Sequence, residues 1–240
     1  DPEFWLMGEI IHGDYRQWAN SEMFDSVTNY CTYKGLWSSL NDKNYFEISY
    51  ALEQQSDVHH GTLKRLHLYN FVDNHDVSRV ASLLKDSALL YPLYLNLFTM
   101  PGIPSIYYGS EFGVTARKEN GDEGLRRAYD LSSLTQGDTS LRKAIRKFAM
   151  IRKNSKALIF GSYQKLVVKN QQLAFLRNYE SENVIVLINS SSSPVELEVP
   201  LRGLFTDQVV DVLNNDERIR VSDGILCCTI PPRWGRILQV

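Results

Sequence analysis

The chain has only three cysteines in 240 residues, and two of them, Cys227 and Cys228, are adjacent in "GILCCTI". Neighbours along a strand point to opposite faces, so a bond between those two would strain the backbone. With Cys31 standing alone, the odd count speaks against a disulfide framework and for buried free thiols in a reducing, cytoplasmic setting. The sequence also lacks any apolar run near the roughly 20 residues that a membrane span needs. It lacks a charge excess: a net charge of -2 gives no electrostatic case for nucleic acid or an anionic membrane surface.

What is present is ordinary globular material. Hydrophobic residues make up 43% and charged residues 22%, which disfavours disorder and allows a sizeable core. Up to about residue 160, strand-like and helical segments alternate. "FWLMGEI" is a short apolar run and "MFDSVTNY" another; "LKRLHLYNFVD" follows, then a helical stretch from Asp86 through "SALLYPLYLNLFTM". Pro92 falls in the opening turns of that helix, where it is tolerated. "IPSIYYG" closes the series as a strand bounded by Pro104 and Gly109. Strands separated by helical patterns predict parallel βα units.

"GDTSLRKAIRKFAMIRKNSKALIFG" predicts one long helix, with Leu141, Ile145 and Phe148 on its apolar face and Thr139 or Ser140 as cap. Arg142, Lys143, Arg146, Lys147, Arg152 and Lys153 are expected on its solvated face. Beyond Gly161 the texture changes to short β-rich runs: "KLVVKN", "QLAFLRNY", "NVIVLIN", "VELEVP", "QVVDVL", "ILCCTI" and "GRILQV". Such runs, without intervening helices, predict an antiparallel β-sandwich over residues 161–240, following an α/β portion over residues 1–160.

In a barrel of parallel βα units, working residues gather at the carboxyl ends of the strands. Three strand ends here carry polar groups: "MGEI" with Glu9, "VDNHD" with Asn74, His75 and Asp76, and "YYGSEFG" with Tyr108 and Glu111. Acids directed into one pocket suit a substrate whose transition state is positive, such as an oxocarbenium ion. His59 and His60 are adjacent in "DVHHGTLK", without the i, i+4 spacing of helical metal ligands, so no metal site is expected.

Taken together, these motifs resemble the α-amylase superfamily, glycoside hydrolase family thirteen. "FVDNHDVSRV" is similar to its seventh-strand signature, "FWLMGEI" to its fifth-strand motif, and "TMPGIPSIYYGSEFG" to its eighth-strand motif. An Arg-rich stretch such as "GLRRAYD" commonly follows the last. The resemblance implies the second half of a (β/α)8 TIM barrel, strands five to eight, followed by an antiparallel β-sandwich domain. It implies that Glu9 is the general acid and then the base, a role that needs a carboxyl able to hold its proton, through burial or nearby negative charge. It implies that Asp76 stabilises the transition state and that His75 and Asn74 contact the sugar. Tyr15 and Trp18, after Glu9, are candidates to stack on a sugar ring, and Arg79 either orients the carboxylates or anchors the next helix.

The family's nucleophile is an aspartate on the fourth strand with an arginine two positions before it, and no Arg-x-Asp follows an apolar strand in the barrel portion here. A retaining mechanism needs two carboxyl groups about 5–5.5 Å apart. The expectation is therefore the carboxyl-terminal part of an enzyme acting on α-glucans or maltooligosaccharides, inactive alone. Exposed barrel edges would recruit the missing amino-terminal half or a second copy. No cofactor is expected, and the family's usual calcium loops belong to the absent half. The competing readings are part of a glucanotransferase and a non-catalytic carbohydrate-binding or assembly fragment.

Overall fold

The computed structural model describes residues 3–201 and 203–240. Four short parallel segments follow one another in chain order. β1 (Met7–Gly8) pairs with β2 (Ser26–Val27), Met7 opposite Ser26. Thr28, just past β2, bridges Tyr69, and β3 (Tyr69–Asn70) pairs with β4 (Ile103–Pro104). Gly102 precedes β4 at φ +99, where a Cβ would come within 2.5 Å of the Leu68 carbonyl oxygen. Only glycine lets the chain approach β3 so closely.

The link from β1 to β2 contains no α-helix, contrary to the alternating pattern expected. It has one 3-10 turn, Tyr15–Gln17, opened by Asp14 Oδ1 accepting the Arg16 N–H. "HGDYRQWANSE" offers no apolar stripe at helical spacing, so a helix there would have no face to bury. Between β2 and β3, α1 (Tyr30–Asn41) and α2 (Tyr45–Ser56) form a pair burying Leu36, Leu40, Ile48 and Leu52. Between β3 and β4 come α3 (Val80–Leu83) and α4 (Leu90–Thr99). α4 is buried on almost every side, so it is the central element of the core.

After β4 come α5 (Asp122–Leu125), α6 (Leu131–Gln136), α7 (Ser140–Lys153) and α8 (Lys156–Phe160). The long helix expected over this last stretch is two. Ser155 breaks it, its Oγ accepting the Leu158 N–H at 3.1 Å to start α8. Thr139 is the cap residue of α7 as expected, but the side-chain bond at its start comes from Asp138, whose Oδ1 accepts the Ser140 N–H at 2.8 Å. Arg152 is not on the solvated face: it is buried and donates to the carbonyls of Phe98, Met100 and Gly102.

The remaining strands are β5 (Ser162–Val168), β6 (Gln172–Tyr179), β7 (Glu182–Asn189), β8 (Val195–Pro200), β9 (Gln208–Asp211), β10 (Glu217–Ser222), β11 (Ile225–Ile230) and β12 (Trp234–Gln239). Among the described residues these eight form one antiparallel sheet, in the order β5-β6-β7-β12-β9-β10-β11-β8. The sheet curls so that Ala174, Leu176, Ile185 and Leu187 meet Leu197, Val199, Leu226 and Cys228 across an inner core. Its other face, with Leu173, Phe175, Val184, Val186, Ile188 and Ile237, shares a core with α1, α2, α4, α7 and α8. β10, "ERIRVS", escaped the sequence reading because charges alternate with its apolar residues. The thiols are free, and only Cys228 is buried; Cys31 and Cys227 are exposed, against the expectation that all three would be buried. Among the described residues no helix is long and apolar enough to cross a membrane.

Candidate active site

Glu9, Tyr30, Asn74, His75 and Asp76 all follow the carboxyl ends of the parallel segments, Glu9 after β1, Tyr30 after β2 and the other three after β3. Glu9, His75 and Asp76 each bring one ligand-type atom within 4.8 Å of the others. The Tyr30 hydroxyl donates to Glu9 Oε1 at 3.1 Å and accepts from Asn74 Nδ2 at 3.0 Å. Asn74 Oδ1 accepts the Asp76 N–H at 2.8 Å, which shapes the turn. His75 Nε2 lies 3.3 Å from Asp76 Oδ2, and Arg126 Nη2 binds Asp76 Oδ1 at 2.7 Å. The Arg126 guanidinium thus holds one oxygen of Asp76, and the His75 ring lies beside the other. Glu9 is exposed rather than buried, and the Asp76 carboxylate lies within 4.8 Å of it.

Beneath this surface lies a buried brace. Asp73 is 2% exposed; its carboxylate accepts the Ser110 hydroxyl at 2.8 Å and the Val80 N–H at 2.9 Å, starting α3. Burial raises its pKa, while those hydrogen bonds and Arg79 act against the rise. Arg79 lies wholly inside. Its Nη1 donates to the Tyr108 carbonyl at 2.8 Å and to Ser110 Oγ at 3.2 Å, its Nη2 to the Leu125 carbonyl at 2.9 Å, and it sits 4.0 Å from the Tyr107 ring centroid. Arg79, with no exposed surface, ties the turn after β3 to the chain after β4.

Tyr15 also departs from its expected role. At 2% exposure it packs with Ala19, Val27 and Leu68, and its hydroxyl accepts the Cys31 N–H at 3.3 Å. Burial drives its pKa upward, and a ring so enclosed offers no face to a sugar. Trp18, 38% exposed, keeps a free surface. Asn74 is half-buried with its amide held by Tyr30 and by the Asp76 backbone, so its evident work is to shape the turn.

Two site residues escaped the sequence reading. Tyr30 ends "MFDSVTNY", and the carboxyl-end rule applied to that strand would have found it. Arg126 lies in the quoted "GLRRAYD"; besides Asp76 it contacts the His75 carbonyl and Asp122. A cavity of about 810 Å³, lined by Asp122, Glu123, Arg126 and Arg127 among others, opens beside it. His60 stands with Glu53 and Asp57, but Asp57 Oδ1 already accepts the His59 and His60 N–H groups and Lys165 pairs with Glu53 at 2.7 Å. That cluster serves as the end of α2.

Residues 1–171 match the family model described as "Alpha amylase, catalytic domain", and residues 163–237 match "Maltogenic Amylase, C-terminal domain". The maltogenic alpha-amylase of Bacillus acidopullulyticus is 27% identical over 231 residues, covering 93% of this chain and 38% of that protein. A cyclomaltodextrinase of Thermoanaerobacter pseudethanolicus is 28% identical over 194 residues, 80% of this chain and 33% of that one. The crystal structure of an Anoxybacillus alpha-amylase superposes with a TM-score of 0.83 at 23% identity, over 99% of this chain and 52% of that one. The chain thus spans 33–38% of these curated relatives and about half of the solved structure.

Proposed function

The chain belongs to the alpha-amylase family, and from that premise we propose that it is the part of a retaining α-glucan or maltooligosaccharide hydrolase that carries the acid/base and the sugar-holding residues. The observation that carries this reading is the convergence of Glu9, His75 and Asp76 within 4.8 Å at one end of the parallel segments. Those segments are read as barrel strands five to eight, with residues 161–240 as a β-domain docked on their helices.

Glu9 acts as general acid. It delivers its proton to the glycosidic oxygen as the bond to the anomeric carbon breaks, and later takes a proton from water. His75 donates to sugar hydroxyls, and Asp76, oriented by Arg126, accepts them and offsets the charge of the oxocarbenium-like transition state. The attacking carboxylate comes from outside these 240 residues. The amino-terminal barrel half that would supply it meets the edge at β1, where Phe4, Trp5, Leu6 and Met7 are exposed. Three free thiols favour a reducing compartment for the assembled protein.

The test is an assay of an aryl α-maltooligoside. The chain alone is expected to release no phenol, and release is expected once an amino-terminal half from a relative is added. Turnover by the chain alone overturns the proposal, and so does a mixture that forms a complex yet stays inert.

A further inference from the structure

The Tyr30 hydroxyl bonds both Glu9 and Asn74 in the turn bearing Asp76, and the proton positions along this chain of bonds follow from chemistry. Asn74 Oδ1 accepts the Asp76 N–H at 2.8 Å, so the amide is oriented with its Nδ2 toward Tyr30. An amide nitrogen only donates, so the Tyr30 oxygen accepts there and keeps its single proton for Glu9 Oε1, 3.1 Å away. The ring is fixed as well: Phe71, 1% exposed, meets it edge-on at 4.9 Å, and Tyr33 stacks on Phe71 at 5.2 Å. A hydroxyl held this way gives Glu9 a set orientation although Glu9 itself is exposed.

We propose that Tyr30 is a positioning residue for the acid step: its hydroxyl holds Glu9 by Oε1, so that the transferable proton resides on Oε2, and it couples Glu9 to the turn carrying His75 and Asp76. The inference rests on the reading of Glu9 as general acid. As the proton leaves Oε2 for the glycosidic oxygen and the bond to the anomeric carbon breaks, negative charge grows on the Glu9 carboxyl. A hydrogen bond to a carboxylate is stronger than one to the neutral acid, so the Tyr30 bond strengthens in the transition state. In kcat/KM, which covers the steps up to the glycosyl-enzyme, its effect is confined to substrates that need protonation of the leaving group.

The experiment compares wild type and Tyr30→Phe, each mixed with the amino-terminal half, on two substrates. One is a maltooligosaccharide, whose sugar leaving group needs a proton; the other is α-maltosyl fluoride, whose fluoride leaves without one. The expected result is a roughly tenfold fall in kcat/KM for the oligosaccharide, carried by kcat. For the fluoride, kcat/KM stays within about twofold, because no proton delivery is needed. Equal losses on both substrates would assign Tyr30 a merely structural role, and no loss on either would also overturn the proposal. A matching unfolding midpoint for the variant separates a folding defect from a catalytic one. A wild-type mixture that forms a complex yet is inert toward both substrates defeats the proposed function and this inference with it, whereas an active wild type with an unaltered Tyr30→Phe defeats this inference alone.

Discussion

Arg177, on β6, donates through Nη1 to the carbonyl of Thr99, the last residue of α4, at 2.6 Å. Its other nitrogens bind the carbonyls of Ser162 and Gly161. Together with Arg152, which takes the carbonyls of Phe98, Met100 and Gly102, it closes the carboxyl end of α4. These carbonyls would otherwise be orphaned, and the end of a helix favours positive charge. Burial pushes the pKa of Arg177 down to about 9 and that of Arg152 down to about 10.

Arg177→Met is therefore expected to cost about 3 kcal/mol, because three buried carbonyls lose a charged donor at once. For a chain of this size that lowers Tm by roughly 6–12 °C, measurable by calorimetry. A change of under a degree would show that the carbonyls find other partners.

The same contact bears on the change of texture near residue 160. Leu173, Phe175, Val184, Val186, Ile188 and Ile237 share their core with the helices that precede β5. Residues 161–240 produced alone would expose all six. At about 1.5–3 kcal/mol for each side chain, that loss is on the order of the whole stability of a domain. The fragment is expected to bind a hydrophobic dye and to give a collapsed amide NMR spectrum, while a dispersed spectrum would show that the sheet stands by itself.

His67 sets a pH dependence. His67 is exposed, yet partial desolvation by its surroundings, followed by the charges of Arg177 and Arg152, lowers its pKa below 6.5. The unfolded chain then takes up a proton that the folded chain resists, so this contribution to stability is present above pH 6.5 and is lost as pH falls toward the depressed folded value. Tm should fall more steeply below pH 6.5 in wild type than in His67→Gln. Parallel curves would remove His67 from the account.

Tyr15 and Trp18 should part company. Tyr15→Ala empties a packed site and is expected to cost about 3–5 kcal/mol in urea unfolding. Trp18→Ala, at a partly exposed position, should stay within about 0.5 kcal/mol. The reverse order would restore Tyr15 as a surface residue.

These contrasts show what the sequence could carry. The strand ends were legible because apolar runs stop abruptly at Glu9 and at Asn74-His75-Asp76, and the parallel segments lie where those runs lie. Side-chain burial was not legible, since nothing local distinguishes the buried Tyr15 and Arg79 from residues that face a ligand. Both are polar residues near a site, and both are consumed by contacts from far along the chain, Tyr15 by Cys31 and Arg79 by Tyr108 and Leu125. Arg152 misled for the same reason: a basic residue on a basic helix face reads as solvated until the carbonyls at the end of α4 come to meet it. Tyr30 reads only as the end of the apolar run "MFDSVTNY" until the fold brings Glu9 and Asn74 to its hydroxyl.

The role of Glu9 can be measured most directly by azide rescue. Glu9→Ala, mixed with the amino-terminal half, is given α-maltosyl fluoride and sodium azide. With the acid/base removed and the nucleophile intact, azide should intercept the glycosyl-enzyme and yield maltosyl azide of retained, α configuration. A product of β configuration would make Glu9 the nucleophile and contradict the account, as would a Glu9→Ala mixture that hydrolyses maltooligosaccharides at the wild-type rate.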